Sequence, residues 1–517
     1  MRRIVACLVG VISFLSIILG ACGDSTNTNP PATTASAALT TASATAAPAD
    51  TTAPVTNTVP TTATQTTALI TSPAASTTAP ASTAPSNTTV PATTTPATST
   101  TPGSGDWTTY HRDNARSGYV PGEKDPTGLA KKWSVPVDGA VYAEPLVVGS
   151  HVLVATEANN IYSLNAANGQ VEWKTNVGQP VPRSALPCGN IDPTGITGTP
   201  VYDPVTNLIF AVAMTTGPAH VLVGVDLQTG QVKIRRPVDL PGMEPAPHQE
   251  RGALAVNNGM VYIAYGGLFG DCGNYKGTVI ASRTDGTGNL LSFQVPTTRE
   301  GGIWASPGMA IDSNGKVYVA VGNGEQTSGE WDKSDSVLRL SADLKLEDGF
   351  APKDWGLENS ADKDLGSMGP ALLGNGLIFI AGKGTIGYTL KASALGGVGG
   401  QLQALDICSG FGGAAVVDSR VFVPCTNGLQ ELTVGDDGKM IPGWKAPADI
   451  NCSPIVGGKT VYIMSRGGTL YALNSDTGQQ RAKVALPAVN RFATPTLSNG
   501  TIFVGTLTTV EAVGLQY

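Results

Sequence analysis

Histidine, charged residues and closely spaced cysteines are scarce in this chain. Its 517 residues include 4 histidines, and charged residues make up 14% of it, below the usual quarter or so. None of the 7 cysteines forms a Cys-x-x-Cys motif, so we do not expect a zinc site. The formal net charge of -7 and the lack of a basic stripe argue against nucleic-acid binding.

One long apolar run, Ile4 to Ile18, lies near the start of the chain, behind two arginines. It has the length of a signal-peptide core and is short for a transmembrane helix. Small residues then lead to Cys22, which resembles the end of a bacterial lipoprotein signal. We expect a signal peptide over residues 1–21 and a lipid on Cys22 that anchors the protein outside the cytoplasm, at the outer face of the cell membrane. The alternative is a short anchor that stays uncut.

The next segment has the composition of a linker. Residues 22–105 are rich in Thr, Ala, Pro and Ser, and Asp50 is the only charge between Asp24 and Asp106. Such a tract cannot bury a core, so we predict a disordered spacer that carries a domain away from the membrane. Because no second long apolar run follows, we expect that domain to be soluble.

From Trp107 onwards the chain repeats a unit of four short strands separated by Gly, Asn and Asp turns. We expect innermost strands near Pro145, Pro200, Ala253, Pro307, Pro370, Ala415, Pro454 and Pro495. A spacing of about 40–60 residues is typical of β-propeller blades. The prediction is an all-β, eight-bladed propeller of four-stranded antiparallel blades over residues 106–517. A stacked β-solenoid is the alternative.

The two ends of the repeat region are complementary. The last copy, Thr494 to Gly514, lacks an outermost strand, and Leu129 to Val137 precedes the first copy as a spare strand. We predict that this N-terminal strand closes the ring and leaves no long free edge. The complementary ends favour a propeller over a solenoid, and we expect a monomer.

The repeat resembles that of the pyrroloquinoline quinone (PQQ) repeat family. The residues that carry the resemblance are Tyr162, Leu164-Asn165, Asn168-Gly169 and Trp173 in the first copy, and the opening Trp107 to Gly118 resembles the start of many exported propellers. The family includes quinoprotein alcohol dehydrogenases and the lipoprotein propeller of the outer-membrane β-barrel assembly machinery. The resemblance therefore implies a fold that serves both enzymes and binding scaffolds.

The resemblance also implies a site on one face of the propeller. Strand starts and second-strand ends share that face, which brings Trp304, Asn323, Asp364 and Lys383 together. In the quinoprotein dehydrogenases a Trp lies under PQQ, an Asn binds calcium, an Asp takes the alcohol proton and a basic residue contacts the quinone. Trp304, Asn323, Asp364 and Lys383 occupy matching places, with Asp362 as a second candidate base. A looser match is Asp271 as a calcium ligand.

The sequence also departs from the dehydrogenases. It lacks their two adjacent cysteines, and their tryptophan repeat is mostly eroded. Our leading hypothesis is therefore a binding or assembly module that docks a protein or an envelope polymer on this polar face. The alternative is a PQQ- and calcium-dependent dehydrogenase of an alcohol or sugar. A glycan-binding propeller is a third hypothesis, and it predicts exposed aromatic residues at Tyr265, Phe269 and Trp331.

Five cysteines remain in the propeller, and we expect most of them to be oxidised outside the cytoplasm. Cys188 and Cys272 fall in loops of the same face, as do Cys408 and Cys425. We predict these two pairs as disulfides, with Cys452 left as a buried free thiol.

Charged residues also precede two innermost strands on this face, in His248-Gln249-Glu250-Arg251 and Arg299-Glu300. One interpretation is that these residues bind an acidic or polar ligand. The other is that they form solvated ion pairs, which are commoner.

Overall fold

A computed structural model of the chain describes residue 103 and residues 105–517. The predicted signal peptide, Cys22 with its expected lipid, and all but two residues of the predicted linker lie outside the described residues. The described part is almost entirely β, and its strands form eight antiparallel blades in a ring. This confirms the eight-bladed β-propeller predicted from the sequence.

Each blade has four strands, ordered from the innermost to the outermost. Blade 1 consists of Leu146–Val148, His151–Ala155, Asn160–Asn165 and Val171–Asn176, and blade 2 of Val201–Asp203, Leu208–Thr215, Ala219–Asp226 and Val232–Pro237. Blade 3 consists of Ala255–Asn257, Met260–Gly267, Thr278–Arg283 and Leu291–Gln294, and blade 4 of Ala310–Ile311, Val317–Val321, Ser336–Leu340 and Leu346–Ala351. Blade 5 consists of Ala371–Leu372, Leu377–Ile380, Ile386–Lys391 and Gln403–Asp406, and blade 6 of Ala415–Val417, Arg420–Cys425, Gly428–Val434 and Met440–Lys445. Blade 7 consists of Ile455–Gly457, Thr460–Met464, Thr469–Asn474 and Gln480–Ala485, and blade 8 of Thr496–Ser498, Thr501–Gly505, Thr509–Gln516 and Gly128–Pro136.

Three further short strands extend these sheets. They are Tyr119–Val120 beside blade 7, His248–Glu250 beside blade 3 and Gly397–Val398 beside blade 4. The described residues include one α-helix, Trp355–Ser360, and two 3-10 turns, Arg183–Ala185 and Leu365–Ser367. None of their helices has the length and apolar character needed to cross a membrane.

The ring closes as predicted. Gly128–Pro136 pairs antiparallel with Thr509–Gln516, and Gly128 lies opposite Gln516 while Pro136 lies opposite Thr509. The N-terminal strand therefore covers the edge that the last repeat leaves open, which removes an unpaired row of backbone groups.

Burial explains the pattern of residues along each blade. The second and third strands pack against blades on both sides, so runs such as Leu208–Thr215 and Ala219–Asp226 are buried almost throughout. The outermost strands alternate, as Val171–Asn176 does, because only one of their faces is covered. The core thus consists of apolar layers between neighbouring blades.

The N-terminal segment Trp107–Gly118 crosses one end of the central channel. Its backbone and side chains bond to the innermost strands of several blades, through Trp107 with Val147, Thr108 with Tyr202 and Ser117 with Val416. Buried Arg116 extends this network to the start of blade 4, where it donates to the Met309 carbonyl oxygen at 2.9 Å. The segment therefore plugs the channel and ties the blades together.

Three tryptophans on outermost strands link neighbouring blades. Their indole nitrogens donate to carbonyl oxygens just after the third strand of the next blade: Trp133 to Ala166 at 3.1 Å, Trp173 to Leu227 at 2.9 Å and Trp444 to Ser475 at 2.7 Å. Gly230 packs against the Trp173 ring with a φ of 68°, and a Cβ there would lie 2.8 Å from the ring. Part of the tryptophan girdle is thus retained.

We expect Trp173→Phe to destabilise the protein by about 1–2 kcal/mol, because a smaller aromatic ring is kept while the Leu227 carbonyl loses its donor. Urea unfolding measures the change. Gly230→Ala should be at least as harmful, since it disturbs the same junction from the partner blade. A Trp173→Phe protein as stable as the wild type would show that this hydrogen bond contributes nothing.

Candidate functional site

The predicted site residues lie on one face of the propeller, which we call the mouth face. It is the face where innermost strands begin and second strands end, opposite the end that the N-terminal segment plugs. Trp304 precedes the innermost strand of blade 4, Asn323 follows its second strand, and Asp364 and Lys383 occupy the corresponding places in blade 5. The repeat of strand direction thus brings four distant residues together.

Asp364 is the centre of this cluster. One carboxylate oxygen, Oδ1, accepts hydrogen bonds from the Asn323 backbone nitrogen at 2.8 Å and from Trp304 Nε1 at 3.4 Å. The other, Oδ2, lies 2.8 Å from Lys383 Nζ. Asp362 is exposed and lies 2.5 Å from the same Nζ, and its Oδ1 accepts from Asn323 Nδ2 at 2.7 Å. Lys383 therefore bridges the two predicted carboxylates.

Gly322 allows the cluster to form. A Cβ at this position would lie 2.0 Å from Asp364 Oδ1 and 3.0 Å from Trp304 Nε1. The glycine of the Gly-Asn pair therefore leaves the space in which the carboxylate sits, while the following Asn323 supplies the backbone donor.

Trp304, Asn323, Asp362 and Asp364 line a cavity of about 200 Å³. Asp271 is also at its wall, where it accepts a 2.6 Å hydrogen bond from the Tyr275 hydroxyl. The cavity is smaller than the ~300–1,000 Å³ of most small-molecule sites. A larger cavity, about 430 Å³, lies beside the N-terminal segment and includes none of the predicted site residues.

Three lining residues were not assigned to the site by the sequence: Tyr275, Glu300 and Asn359. Asn359 comes from the short helix, and its amide holds the loop after Asn323 through Gly324 N at 2.9 Å and Gln326 O at 2.6 Å. Glu300 was noticed only as half of a charged pair, and it does form a salt bridge with Arg299. All three residues lie outside the repeated strands, so the repeat could not predict that they line the cavity.

Positively charged side chains lie beside several of the carboxylates at the cavity. Burial raises the pKa of Asp364, although the Lys383 ammonium opposes that shift. Burial also raises the pKa of Glu300, with Arg299 opposing and Asp271 adding to the shift. The pKa of Lys383 is raised by the two aspartates, which outweigh its own burial. The carboxylates thus have their compensating positive charge within the protein.

One oxygen at the cavity is suited to calcium, but the acidic side chains of the described residues are not gathered as metal ligands around it. Asn323 Oδ1 is a buried oxygen without a partner among the described residues, which is the kind of ligand calcium uses. However, within that part of the chain no group of three or more His, Cys, Asp or Glu side chains could hold a metal ion. Lys383 instead supplies the cation next to Asp362 and Asp364.

Both predicted disulfides are present. Cys188 bonds Cys272, with Cα atoms 6.0 Å apart, and Cys408 bonds Cys425, with Cα atoms 5.7 Å apart. Cys452 is buried and free, as predicted, and burial raises the pKa of its thiol to about 12. The Cys188–Cys272 disulfide joins two mouth-face loops, and the Cys408–Cys425 disulfide joins a loop to the end of a strand. Neither disulfide joins adjacent cysteines.

The aromatic residues of the glycan hypothesis are not displayed together. Tyr265 is fully buried against the rings of His220 and His248, Trp331 is half-buried, and Phe269 is exposed. The expectation for Tyr265 was wrong because it lies on the second strand of blade 3, which is covered on both sides.

A buried carboxyl on this face, Glu157, should make stability depend on pH. Its Oε2 accepts from Gly195 N at 2.7 Å, and burial raises its pKa from 4.5 to about 7. The stabilisation from a raised pKa is complete below the unfolded value of 4.5 and is lost as pH rises through 7. Glutamine stays neutral over this range. We therefore expect the free energy of unfolding of Glu157→Gln, relative to that of the wild type, to rise by about 3 kcal/mol between pH 4.5 and 8. Urea unfolding across that range tests this, and a constant difference between the two proteins would contradict it.

Comparison with known proteins agrees with the propeller fold. The family model described as outer membrane protein assembly factor BamB matches residues 125–335. The chain is a β-propeller, and over these residues it is similar to the PQQ-repeat family. No curated protein sequence matches it.

Several solved structures share this propeller fold. A quinohemoprotein alcohol dehydrogenase from Pseudomonas putida HK5 has a TM-score of 0.64 at 16% identity, over 80% of each chain. A europium-containing methanol dehydrogenase has a TM-score of 0.62 at 14% identity, over 80% of this chain and 98% of that one. BamB from Moraxella catarrhalis has a TM-score of 0.51 at 13% identity, over 75% of this chain and 100% of that one. At these identities the likeness shows the fold alone, and it includes both enzymes and an assembly factor.

Proposed function

We propose that this PQQ-repeat-like propeller is a binding or assembly module of the cell envelope, and that partners dock on its mouth face. The observation that carries the proposal is the state of Asp364. Both oxygens of its carboxylate are engaged, by Asn323 N and Trp304 Nε1 on one side and by Lys383 on the other. A general base needs a lone pair directed at the substrate, so this carboxylate serves better as a structural centre.

Two further observations support a binding role. The cavity of about 200 Å³ is small for a flat tricyclic cofactor together with a substrate, and the acidic side chains of the described residues are not gathered as metal ligands around it. The matching family model and one structural neighbour are described as BamB, an outer membrane assembly factor. A docking surface requires only that the mouth-face loops be held rigid, and the two disulfides do this.

We also propose that the module is anchored through lipid on Cys22, because small residues and a cysteine close the apolar run. Cell fractionation tests this. The wild type should be found with the membranes and Cys22→Ala should be released or remain as an uncut precursor. An unchanged distribution with normal processing of Cys22→Ala would contradict the anchor.

Site-specific photo-cross-linking in cells tests the docking face. A photoreactive amino acid is placed at Phe269 or Glu325, two exposed mouth-face residues, and at Val205, an exposed residue in a turn of the opposite face. We expect discrete cross-linked products from the mouth-face positions and none from Val205. Equal labelling from both faces, or no product from either, would contradict docking on the mouth face.

The second candidate is a PQQ- and calcium-dependent dehydrogenase, and the observation that favours it is the convergence of Trp304, Asn323, Asp364 and Lys383 at one cavity. The purified protein is incubated with PQQ, calcium, a panel of alcohols and sugars, and an artificial electron acceptor. Acceptor reduction that Asp364→Asn abolishes would replace the binding module with the enzyme. Equal background rates in the two proteins are the result we expect.

A further inference from the structure

Three aromatic rings meet at the centre of the mouth face. The ring centroids of Trp304, Phe411 and Phe492 are 6.3 to 6.5 Å apart. The three residues lie a few positions before the innermost strands of blades 4, 6 and 8. They therefore surround the channel axis, and we call them the aromatic triangle.

Two arginines stack on the aromatic triangle. The guanidinium carbon of Arg251 lies 4.0 Å from the centroid of Phe492 and 6.0 Å from that of Trp304. The guanidinium carbon of Arg491 lies 4.5 Å from the centroid of Phe411. Stacking fixes the two planar groups while their edges, which carry the N–H donors, remain available.

Neither arginine has an acceptor within the part of the chain that the structure describes. There Arg251 and Arg491 form no salt bridge and no side-chain hydrogen bond, and the same holds for exposed Arg466. Lys383, another cation of this face, is by contrast paired with Asp362 and Asp364. Half-buried charges without partners are costly, which indicates that an anion from outside completes this site.

Like charges are also gathered here rather than dispersed. The Arg466 carbonyl accepts from Val489 N at 3.2 Å, which places this residue beside the segment that carries Arg491. Burial lowers the pKa of Arg491, and the nearby charge of Arg466 lowers it further. In a chain with a net charge of -7, two positive charges, those of Arg466 and Arg491, thus lie near each other at the channel mouth.

The nearest carboxyl does not neutralise this group. Glu157 interacts with Arg251 through space, but its Oε2 is taken by Gly195 N at 2.7 Å and it forms no salt bridge with the arginine. Burial also raises the pKa of Glu157 to about 7, so part of this carboxyl is neutral at physiological pH.

We propose that Arg251 and Arg491, with Arg466 at the rim, form a site for a multivalent anion that carries at least two carboxylate or phosphate groups. Each guanidinium presents a fork of donors that matches one such group. Two forks on a rigid aromatic support bind two groups of one ligand, which explains why the arginines have no internal partners. The inference rests on the proposed function, since it names the ligand chemistry of the docking face.

Isothermal titration calorimetry at pH 7 tests the site directly. Citrate represents a multivalent carboxylate, pyrophosphate a multivalent phosphate, and acetate at equal ionic strength a monovalent anion. We expect one multivalent anion to bind at least tenfold more tightly than acetate, which is about 1.4 kcal/mol. Whichever of citrate and pyrophosphate binds more tightly shows whether the site prefers carboxylate or phosphate groups. No saturable heat with either multivalent anion would overturn the proposal.

Variants locate the binding. Arg251→Ala/Arg491→Ala should weaken binding at least tenfold, and Arg251→Lys/Arg491→Lys, which keeps the charges but loses the forks, should weaken it as well. The matched control is Arg283→Ala, at an exposed arginine paired with Asp285, and it should bind as the wild type does. Wild-type affinity in both double variants would place the anion elsewhere and overturn the site. If the wild type binds neither anion but still gives discrete cross-links from Phe269, only this inference fails. If the wild type shows neither anion binding nor these cross-links, the proposed function fails as well.

Discussion

Arg116→Met is expected to destabilise the propeller by at least about 3 kcal/mol. Arg116 is buried, and it donates to the carbonyl oxygens of Met309 at 2.9 Å, Leu254 at 3.0 Å and Tyr110 at 3.1 Å. Methionine fills much of the same volume but leaves the carbonyl oxygens of Met309 and Tyr110 without a donor, at about 1–3 kcal/mol each before relaxation. The Leu254 oxygen keeps the Thr109 hydroxyl as a donor at 3.0 Å. It also removes part of the link between the N-terminal segment and blades 3 and 4, where Asn114 still bonds to Val256 and Ile311.

Urea unfolding followed by tryptophan fluorescence measures this effect. The control is Arg283→Ala, which removes an exposed arginine and one surface ion pair and should change stability by less than about 1 kcal/mol. An Arg116→Met protein within about 1 kcal/mol of the wild type would mean that the N-terminal segment does not tie the blades together.

Loss of the Cys188–Cys272 disulfide is expected to cost about 4–5 kcal/mol, and loss of Cys408–Cys425 about 3 kcal/mol. The difference follows from the sequence separations of 84 and 17 residues, because a longer closed loop removes more entropy from the unfolded chain. The paired variants Cys188→Ala/Cys272→Ala and Cys408→Ala/Cys425→Ala provide the comparison.

The two pairs serve as controls for each other. Each variant removes two sulfurs, and Cys452 remains as a buried thiol in both. Urea midpoints measured without reductant give the order of stability. A larger loss from the short loop than from the long one would mean that native packing around buried Cys408 and Cys425 outweighs the loop entropy.

The propeller could be predicted because its signal is repeated. Eight copies of one strand pattern fixed the blade count, and the missing strand of the last copy pointed to residues 129–137, where the structure has Gly128–Pro136. The convergence of Trp304, Asn323 and Asp364 followed from the same repeat, since strand direction alone determines which face each residue occupies.

The remaining features depend on contacts that no repeat encodes. Phe411 and Phe492 meet Trp304 only because linkers of three blades reach the channel axis, and their spacing in the sequence gives no hint of this. The plug formed by Trp107–Gly118 is similarly non-local, because its partners are spread over most of the ring. The bridge from Lys383 to Asp362 and Asp364 depends on side-chain distances that the repeat does not specify. This bridge determines how the role of Asp364 is interpreted.

The most direct test of the binding-module proposal is thermal unfolding of the protein with and without PQQ plus calcium, in the wild type and in Trp304→Ala and Asn323→Ala. A ligand that binds only the folded state stabilises it by about 2.7 kcal/mol at a hundredfold excess over its Kd. We predict no calcium-dependent rise in Tm, because both oxygens of Asp364 are engaged within the protein and the cavity is only about 200 Å³. A clear calcium-dependent rise in the wild type that is lost in both variants would contradict the proposal and identify the mouth face as a quinone site.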